Sequence, residues 1–149
     1  MNISSIQVKD EISIAYTDPN QQAGKEDRLK VVSAEEPRPE LRANMDALAP
    51  YVCEMLELEE DYADGMTIQR VAIERKGSRK IYKISGYKEL TKSKTTFRFT
   101  TPPRADIVDE GGKDFAIPKD CIVVLQTVEN EAERYVKGDR SQSQLPLDD

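Results

Sequence analysis

The chain has 149 residues, of which 34% are charged and 38% hydrophobic, and this balance predicts one compact domain with a heavily solvated surface. There is no His and no Trp, so the usual general base near neutral pH and the commonest metal ligand are both missing. The two cysteines, Cys53 and Cys121, stand far apart within apolar runs, which indicates reduced core residues rather than a disulfide framework or a zinc site. No segment resembles a signal peptide or a membrane span, so we expect a cytoplasmic protein.

The first segment alternates apolar with polar residues from residue 6 to residue 16, which is the period of a half-buried strand. Asp10 interrupts the apolar row. The segment is therefore either one long strand or two short strands that turn at residues 9–11. A stretch rich in turn formers follows at 17–24, and residues 28–33 are typical of a returning strand.

From Pro39 the apolar spacing becomes that of a helix. The apolar positions are Leu41, Met45, Leu48, Val52, and Met55 or Leu56. Pro39 suits a first helical turn, whereas Pro50 does not suit a helix interior, because it lacks the amide hydrogen and crowds the preceding turn. The helix either kinks at Pro50 or gives way there to a second helix that runs to about residue 58.

Two strand-like segments, 66–75 and 80–87, flank a short loop in which Gly77 favours a type II′ hairpin turn. That register pairs Ile73 with Tyr82 and forms one apolar face. The opposite face then holds Arg70, Ala72, Glu74, Ile81, Lys83, Ser85 and Tyr87. A third strand is predicted at 95–101, with Phe97 and Phe99 on one face and Arg98 on the other, before two prolines end it.

Residues 106–113 are predicted to form an acidic loop that contains glycine, and Pro118 is predicted to open an amphipathic helix that runs from 118 to 137. The apolar run at 122–125 leaves a buried strand followed by a shorter helix as the alternative. The predicted fold class is α+β, with an antiparallel sheet of about five strands packed on two helices, 39–58 and 118–137. We expect a single domain over 1–138 and a disordered tail over 139–149.

Charge divides the chain into blocks. Residues 66–104 contain eleven basic and two acidic residues, a net charge of +9, so the remainder carries −15 of the overall −6. Phosphates require several cationic side chains on one surface, and unstacked bases require flat side chains to lie on. The sequence therefore predicts a nucleic-acid-binding surface made of Arg70, Arg79, Lys83, Tyr87, Lys88, Lys92, Lys94 and Arg98. Two alternatives remain. The first is a merely solvated sheet face whose lysines prevent edge pairing, and the second is a basic sheet that forms salt bridges with the acidic first helix.

Carboxylates cluster at Asp106, Asp109, Glu110 and Asp114, but their spacing is not that of a calcium loop. An acidic solvated loop is the simpler interpretation. No nucleophile set and no phosphate-cradling glycine pattern is present, so we expect a non-enzymatic protein with no cofactor and no metal site. The exception to test would be a metal-dependent nuclease, whose activity Asp109→Ala or Asp114→Ala would abolish.

The end of the chain carries Gln144, Leu145, Pro146 and Leu147 in a polar context. This segment resembles the short peptide with which bacterial replication and repair proteins dock on the sliding DNA clamp. The resemblance implies that Gln144 anchors one subsite and that Leu145 and Leu147 fill an apolar pocket. The sequence departs from the pattern at Asp148, where an aromatic residue or Leu is usual. The alternative is an ordinary unstructured chain end.

The size of the chain, its lack of catalytic residues and its clamp-like tail are similar to those of small bacteriophage proteins. The leading hypothesis is a non-enzymatic accessory protein of phage or bacterial DNA replication or recombination that binds single-stranded or non-specific DNA. The rival hypothesis is an acidic interaction or inhibitor module that binds a DNA-processing or host-defence protein. Its surface would comprise Glu35, Glu36, Glu54, Glu57, Glu59, Glu60, Asp61 and Asp64.

Overall fold

The computed structural model describes residues 1–22, 24–107 and 117–141. They form a seven-stranded antiparallel sheet with helices on one face, which confirms the α+β class, although the sheet has more strands than the predicted five. The strands are β1 (Asn2–Val8), β2 (Ile12–Pro19), β3 (Glu26–Ser33), β4 (Met66–Lys76), β5 (Arg79–Leu90), β6 (Thr95–Thr100) and β7 (Arg104–Ala105). The order across the sheet is β3-β2-β1-β4-β5-β6. The short strand β7 pairs with Ile81 and Tyr82, near the start of β5.

The first segment folds as two strands that turn at residues 9–11, the second of the two predicted alternatives. Val8 pairs with Ile12 across this turn, and both side chains are buried. β3 begins two residues earlier than expected and lies at the sheet edge beside β2. Splitting of the first segment and the unpredicted short strand β7 account for the larger strand number.

The β4–β5 hairpin has the predicted register, with Ile73 opposite Tyr82 and Lys76 opposite Arg79. Gly77 has a φ of 61°, the left-handed value that the first central position of a type II′ turn requires, so the predicted turn is confirmed. One irregularity interrupts the pairing between Ile68 and Arg70. Gln69 is the extra residue of this bulge, and β1 has a similar shift between Ile3 and Ser5.

Over the described residues, three helices replace the two predicted ones: α1 (Pro39–Asp46), α2 (Ala49–Met55) and α3 (Lys119–Val136). Pro50 lies in the first turn of α2, so the chain starts a new helix there and does not kink a long one. A 3₁₀ turn, Glu60–Ala63, leads into β4. α3 runs through residues 122–125 as one helix, and the alternative of a buried strand there is wrong.

The helices cover only one face of the sheet. Fully buried side chains of this layer include Ile6, Ile14, Val71 and Ile84 from the sheet. The helices contribute Leu41, Met45, Leu48, Val52, Leu125, Val128 and Tyr135. Cys53 and Cys121 are free and buried in the same core, as predicted. The other side of the sheet, which we call the open face, has no helix of the described residues packed on it.

Candidate functional site

Cross-strand pairing determines which side chains share the open face. Arg70 of β4 lies between Gln7 and Ser85, and Lys83 of β5 lies opposite Ala72. Residues directly opposed in an antiparallel pair project to the same side of the sheet. These positions alternate with buried Val71 and Ile84, so Arg70 and Lys83 project away from the helices.

Arg98 of β6 extends the same surface, because it pairs directly with Tyr87 of β5. Arg98 is exposed and Tyr87 is half-buried, so part of the Tyr87 ring contacts solvent. Phe97 and Phe99 project to the opposite side, where Phe99 is buried, as the alternation predicted. An aromatic ring beside a guanidinium is a suitable surface for a nucleobase or for another flat group.

The edge strand β3 adds two cations that the sequence prediction missed. Lys30 pairs with Ala15, and Arg28 pairs with Thr17; both cations are exposed. One row across the sheet runs Lys30, Ala15, Ser5, Ala72 and Lys83, so two lysines flank a floor of small side chains. Four strand spacings separate these lysines, which is about 19 Å.

These cations have few internal partners. Within the described ranges, no carboxylate forms a salt bridge with Arg28, Lys30, Arg70, Lys83 or Arg98. Arg70 Nε donates a hydrogen bond of 3.2 Å to Ser5 Oγ, which orients its guanidinium across the sheet. The described acidic residues of the open face lie at strand ends, at Glu26, Glu74 and Glu89, and in the β1–β2 turn, where Asp10 and Glu11 line a depression with Lys30. The middle of the face is therefore electropositive, although the whole chain is acidic.

Lys88 does not belong to this surface, and its inclusion in the predicted set needs correction. It pairs with buried Met66 and points to the helix side, where its Nζ donates to the carbonyl oxygens of Tyr62 at 3.1 Å and Asp64 at 2.5 Å. The ammonium also lies 5.1 Å from the centre of the Tyr62 ring. The sequence already indicated this orientation, because Lys88 has the same position in the alternation of β5 as the buried residues Tyr82 and Ile84.

The other predicted cations occupy separate places. Arg79 lies at the tip of the β4–β5 hairpin, is half-buried and has an interaction partner. Lys92 and Lys94 are exposed in the turn between β5 and β6, where Lys94 has a φ of 56°. They lie beyond the end of the open face, and the Tyr87 and Arg98 pair is three residue pairs away from the turn along the β5–β6 ladder. The structure thus brings together Arg70, Lys83, Tyr87 and Arg98, and leaves the turn lysines at the periphery.

Two further cations of the basic block are bound internally. Arg75 and Lys80 lie opposite each other on the helix side and contact the carboxylate of Glu129 from α3, at 3.3 and 3.2 Å. Glu129 is only 8% exposed and also accepts a hydrogen bond of 2.7 Å from Tyr82 Oη. Internal pairing thus occurs at this end of the hairpin, but its acidic partner belongs to α3 and not, as predicted, to the first helix. The described carboxylates form no salt bridge with the cations of the open face.

The acidic surface lies on the other side of the molecule. Glu35 and Glu36 are engaged by Arg140 and Arg42, at 2.8 and 3.4 Å. The remaining carboxylates of this surface are exposed around α2 and the 3₁₀ turn, at Glu54, Glu57, Glu59, Glu60, Asp61 and Asp64. Two of the eight predicted residues are thus already paired, and six face solvent.

The predicted docking residues Gln144, Leu145 and Leu147 lie outside the described residues, as do Asp109, Glu110 and Asp114 of the acidic loop. The contacts of the domain continue through Ser141, three residues past the predicted boundary at 138. Ser141 N donates to Glu36 O at 3.1 Å, and the Arg140 guanidinium lies 4.1 Å from the centre of the Tyr135 ring.

Comparison of the chain with protein-family models, curated proteins and solved structures finds no match. Function must therefore be argued from the geometry. In the described parts of the chain, no helix is both long and apolar enough to cross a bilayer. Over the same residues, no group of three or more candidate ligand side chains is placed to hold a metal ion.

Proposed function

We propose that this protein binds the backbone of nucleic acid through its open face, as a non-enzymatic accessory factor. The observation that carries the proposal is the group of five exposed cations, Arg28, Lys30, Arg70, Lys83 and Arg98, which the described carboxylates leave unpaired. Phosphates that bind such a surface release condensed counterions, and this release drives association with a polyanion.

The shape of the face supports a polymer ligand. The cations come from four different strands and run diagonally from the β3 edge to β6, over a floor of Ser5, Ala15 and Ala72. Small side chains let a backbone approach the sheet closely, and Tyr87 offers a ring at the end of the path. The direction of this path favours an extended strand rather than a compact anion.

The biological setting that fits the sequence is DNA replication or recombination of a phage or a bacterium. In this proposal the tail residues Gln144, Leu145 and Leu147 would dock on the sliding clamp while the sheet holds DNA. Burial of a leucine side chain in a partner is worth about 1.5–3 kcal/mol. If the tail docks on the clamp and the sheet binds DNA, removal of residues 144–147 should abolish clamp binding and leave the affinity for DNA unchanged.

The test is a fluorescence anisotropy titration of single- and double-stranded oligonucleotides at two or more salt concentrations. Five neutralised phosphates predict a slope of log affinity against log salt of about −3.5 on a single strand, at roughly −0.7 per phosphate. The double variant Lys83→Glu with Arg98→Glu should reduce affinity strongly. The matched control is Lys119→Glu with Lys137→Glu, at the first residue of α3 and at the residue that follows its end, which makes the same charge change on the helix side. Equal effects of the two double variants would refute the site.

The exposed carboxylates around α2 and the 3₁₀ turn favour a second candidate function, an acidic module that binds a DNA-processing or host-defence protein. Carboxylates arranged on a surface can imitate phosphates. This candidate predicts that the protein does not bind naked DNA. It also predicts that wild type retains a nucleic-acid-binding protein in stoichiometric amount and that Glu57→Lys with Glu60→Lys does not.

A further inference from the structure

A shallow depression opens on the open face next to Lys83. Its volume is about 470 Å³, and its lining includes Ala72, Glu74, Lys76, Ile81, Lys83 and Pro103. Pairing between β4 and β5 places Glu74 opposite Ile81 and Ala72 opposite Lys83. The depression therefore has an apolar floor formed by Ala72, Ile81 and Pro103, with charged groups around it.

The floor differs from the rows next to it. These rows consist mainly of small or polar side chains such as Ser5 and Thr100, whereas Ile81 is a branched aliphatic residue that is half-buried. Exposed Val32, which pairs with Ser13, lies at the β3 edge away from the depression. Ile81 lines the depression together with Ala72 and Pro103, and the part of its side chain that contacts solvent favours contact with an apolar ligand group.

Lys83 connects this depression to the proposed nucleic-acid path. It lines the depression and also belongs to the exposed cations of the open face, so a phosphate that binds its ammonium lies beside the apolar floor. We infer that the depression seats one unstacked nucleobase, an inference that rests on the proposed function. A base within a duplex is stacked and paired and is not free to enter, so the ligand of this site is a single strand.

Glu74 indicates which bases fit. Its carboxylate stands at the rim, 65% exposed, and Lys76 Nζ lies 3.3 Å from Oε1. A carboxylate only accepts hydrogen bonds, and the amino groups of cytosine, adenine and guanine can donate them. Thymine and uracil present a single N–H between two carbonyl oxygens, which the carboxylate repels. The site therefore prefers a base that carries an amino group.

The experiment compares labelled oligo-dC, labelled oligo-dT and a mixed-sequence duplex, each of about 20 nucleotides, which is longer than the roughly 4–16 nucleotides that single domains cover. Wild type should bind oligo-dC about two- to ten-fold more tightly than oligo-dT, the effect of one exposed hydrogen bond to a charged group, and should bind the duplex least well. Glu74→Gln should bring the ratio of the two single-strand affinities close to one. Glu89→Gln makes the same charge change at the other end of the open face and should keep the ratio.

Equal affinities of wild type for the two single strands, a preference that survives Glu74→Gln, or duplex binding as tight as single-strand binding would overturn the inference. In each of these results the salt-dependent binding remains, so the proposed function stands. Absence of salt-dependent binding to all three polymers would instead remove the proposed function. Ile81→Asn, confirmed as folded by its melting curve, should weaken binding to both single strands and leave the duplex affinity unchanged.

Discussion

Tyr82 donates a hydrogen bond of 2.7 Å to Glu129, and this contact joins the middle of the sheet to helix α3 inside the core. The same carboxylate accepts bonds from Arg75 and Lys80, so donors from two strands converge on one acidic group of the helix. Burial, together with the hydrogen bond to Glu129, raises the pKa of Tyr82 far above its usual value. The hydroxyl therefore remains protonated and able to donate.

Removal of this carboxylate should destabilise the protein. We expect Glu129→Ala to lower the free energy of unfolding by about 2–4 kcal/mol, because two cations and a tyrosine hydroxyl lose their shared acceptor. Tyr82→Phe should cost about 1–2 kcal/mol, since the ion pairs remain. Urea denaturation measures both. Lys137→Ala, which removes a surface pair with Glu133, is the control and should change the value by less than about 1 kcal/mol. A loss for Glu129→Ala no larger than that of the control would show that the contact is dispensable.

Gly86 lies where β4, β5 and β6 approach closely. A Cβ at this position would be 2.0 Å from Thr67 O and 2.9 Å from Phe99 Cζ, so backbone would have to move. Gly86→Ala should therefore lower the free energy of unfolding by about 1–3 kcal/mol or more. Thermal and urea denaturation provide the measurement. Ser85→Ala is the matched control on the adjacent open-face position, and an equally small effect of both changes would contradict the close packing.

Charges on the two sides of the sheet should affect binding differently. For a single strand, Arg28→Ala with Lys30→Ala should reduce the magnitude of the slope of log affinity against log salt by about 1.4, because each lost phosphate contact removes roughly 0.7. Lys88→Ala should leave that slope unchanged, because its ammonium is bound to the carbonyl oxygens of Tyr62 and Asp64 on the helix side. Anisotropy titrations over a salt series give both slopes. The reverse pattern would mean that the ligand lies on the helix side.

The stability of the protein should fall in alkaline solution. Burial raises the pKa of Cys121 from 9.0 to about 12, so the folded state holds the thiol proton more tightly than the unfolded chain does. The stabilisation is fully present below pH 9 and is lost as the pH rises from about 9 to 12, at up to about 1.4 kcal/mol per pH unit. Urea midpoints of wild type and Cys121→Ala over this range test the expectation, and the variant should show the shallower decline. Parallel curves would exclude Cys121 as the source.

Local patterns were sufficient to predict the hairpin. Gly77 and the alternation on either side of it defined both the turn and the pairing of Ile73 with Tyr82, because turn type determines register in a short hairpin. The same alternation correctly placed Arg70, Lys83, Tyr87 and Arg98 on one face. These residues are close in sequence, so short-range rules determine their positions.

Contacts between residues that are far apart in sequence could not be predicted from these short-range patterns. Arg28 and Lys30 join the open face only because β3 lies beside β2 at the far edge of the sheet, and strand order does not follow from alternation. Glu129 is 54 residues from Arg75 in sequence, and nothing in its neighbourhood distinguishes it from other acidic residues of α3. Lys88 is a different case. Its position in the alternation of β5 is that of Ile84 and already indicated the helix side, but Lys88 was assigned to the nucleic-acid-binding surface because it lies within the basic block of the sequence.

The bulge at Gln69 has a consequence for the evolution of the chain. Met66 and Ile68 are buried at even positions, whereas Val71 and Ile73 are buried at odd ones. The additional residue Gln69 therefore changes which residue numbers of β4 face the helices. If Gln69 entered regular pairing instead of bulging, either Arg70 would face the interior or Met66 and Ile68 would face water, whereas a chain without Gln69 would alternate regularly and keep both faces. Loss of Gln69 would therefore leave the exterior chemistry of the molecule unchanged and remove only the local irregularity of the strand.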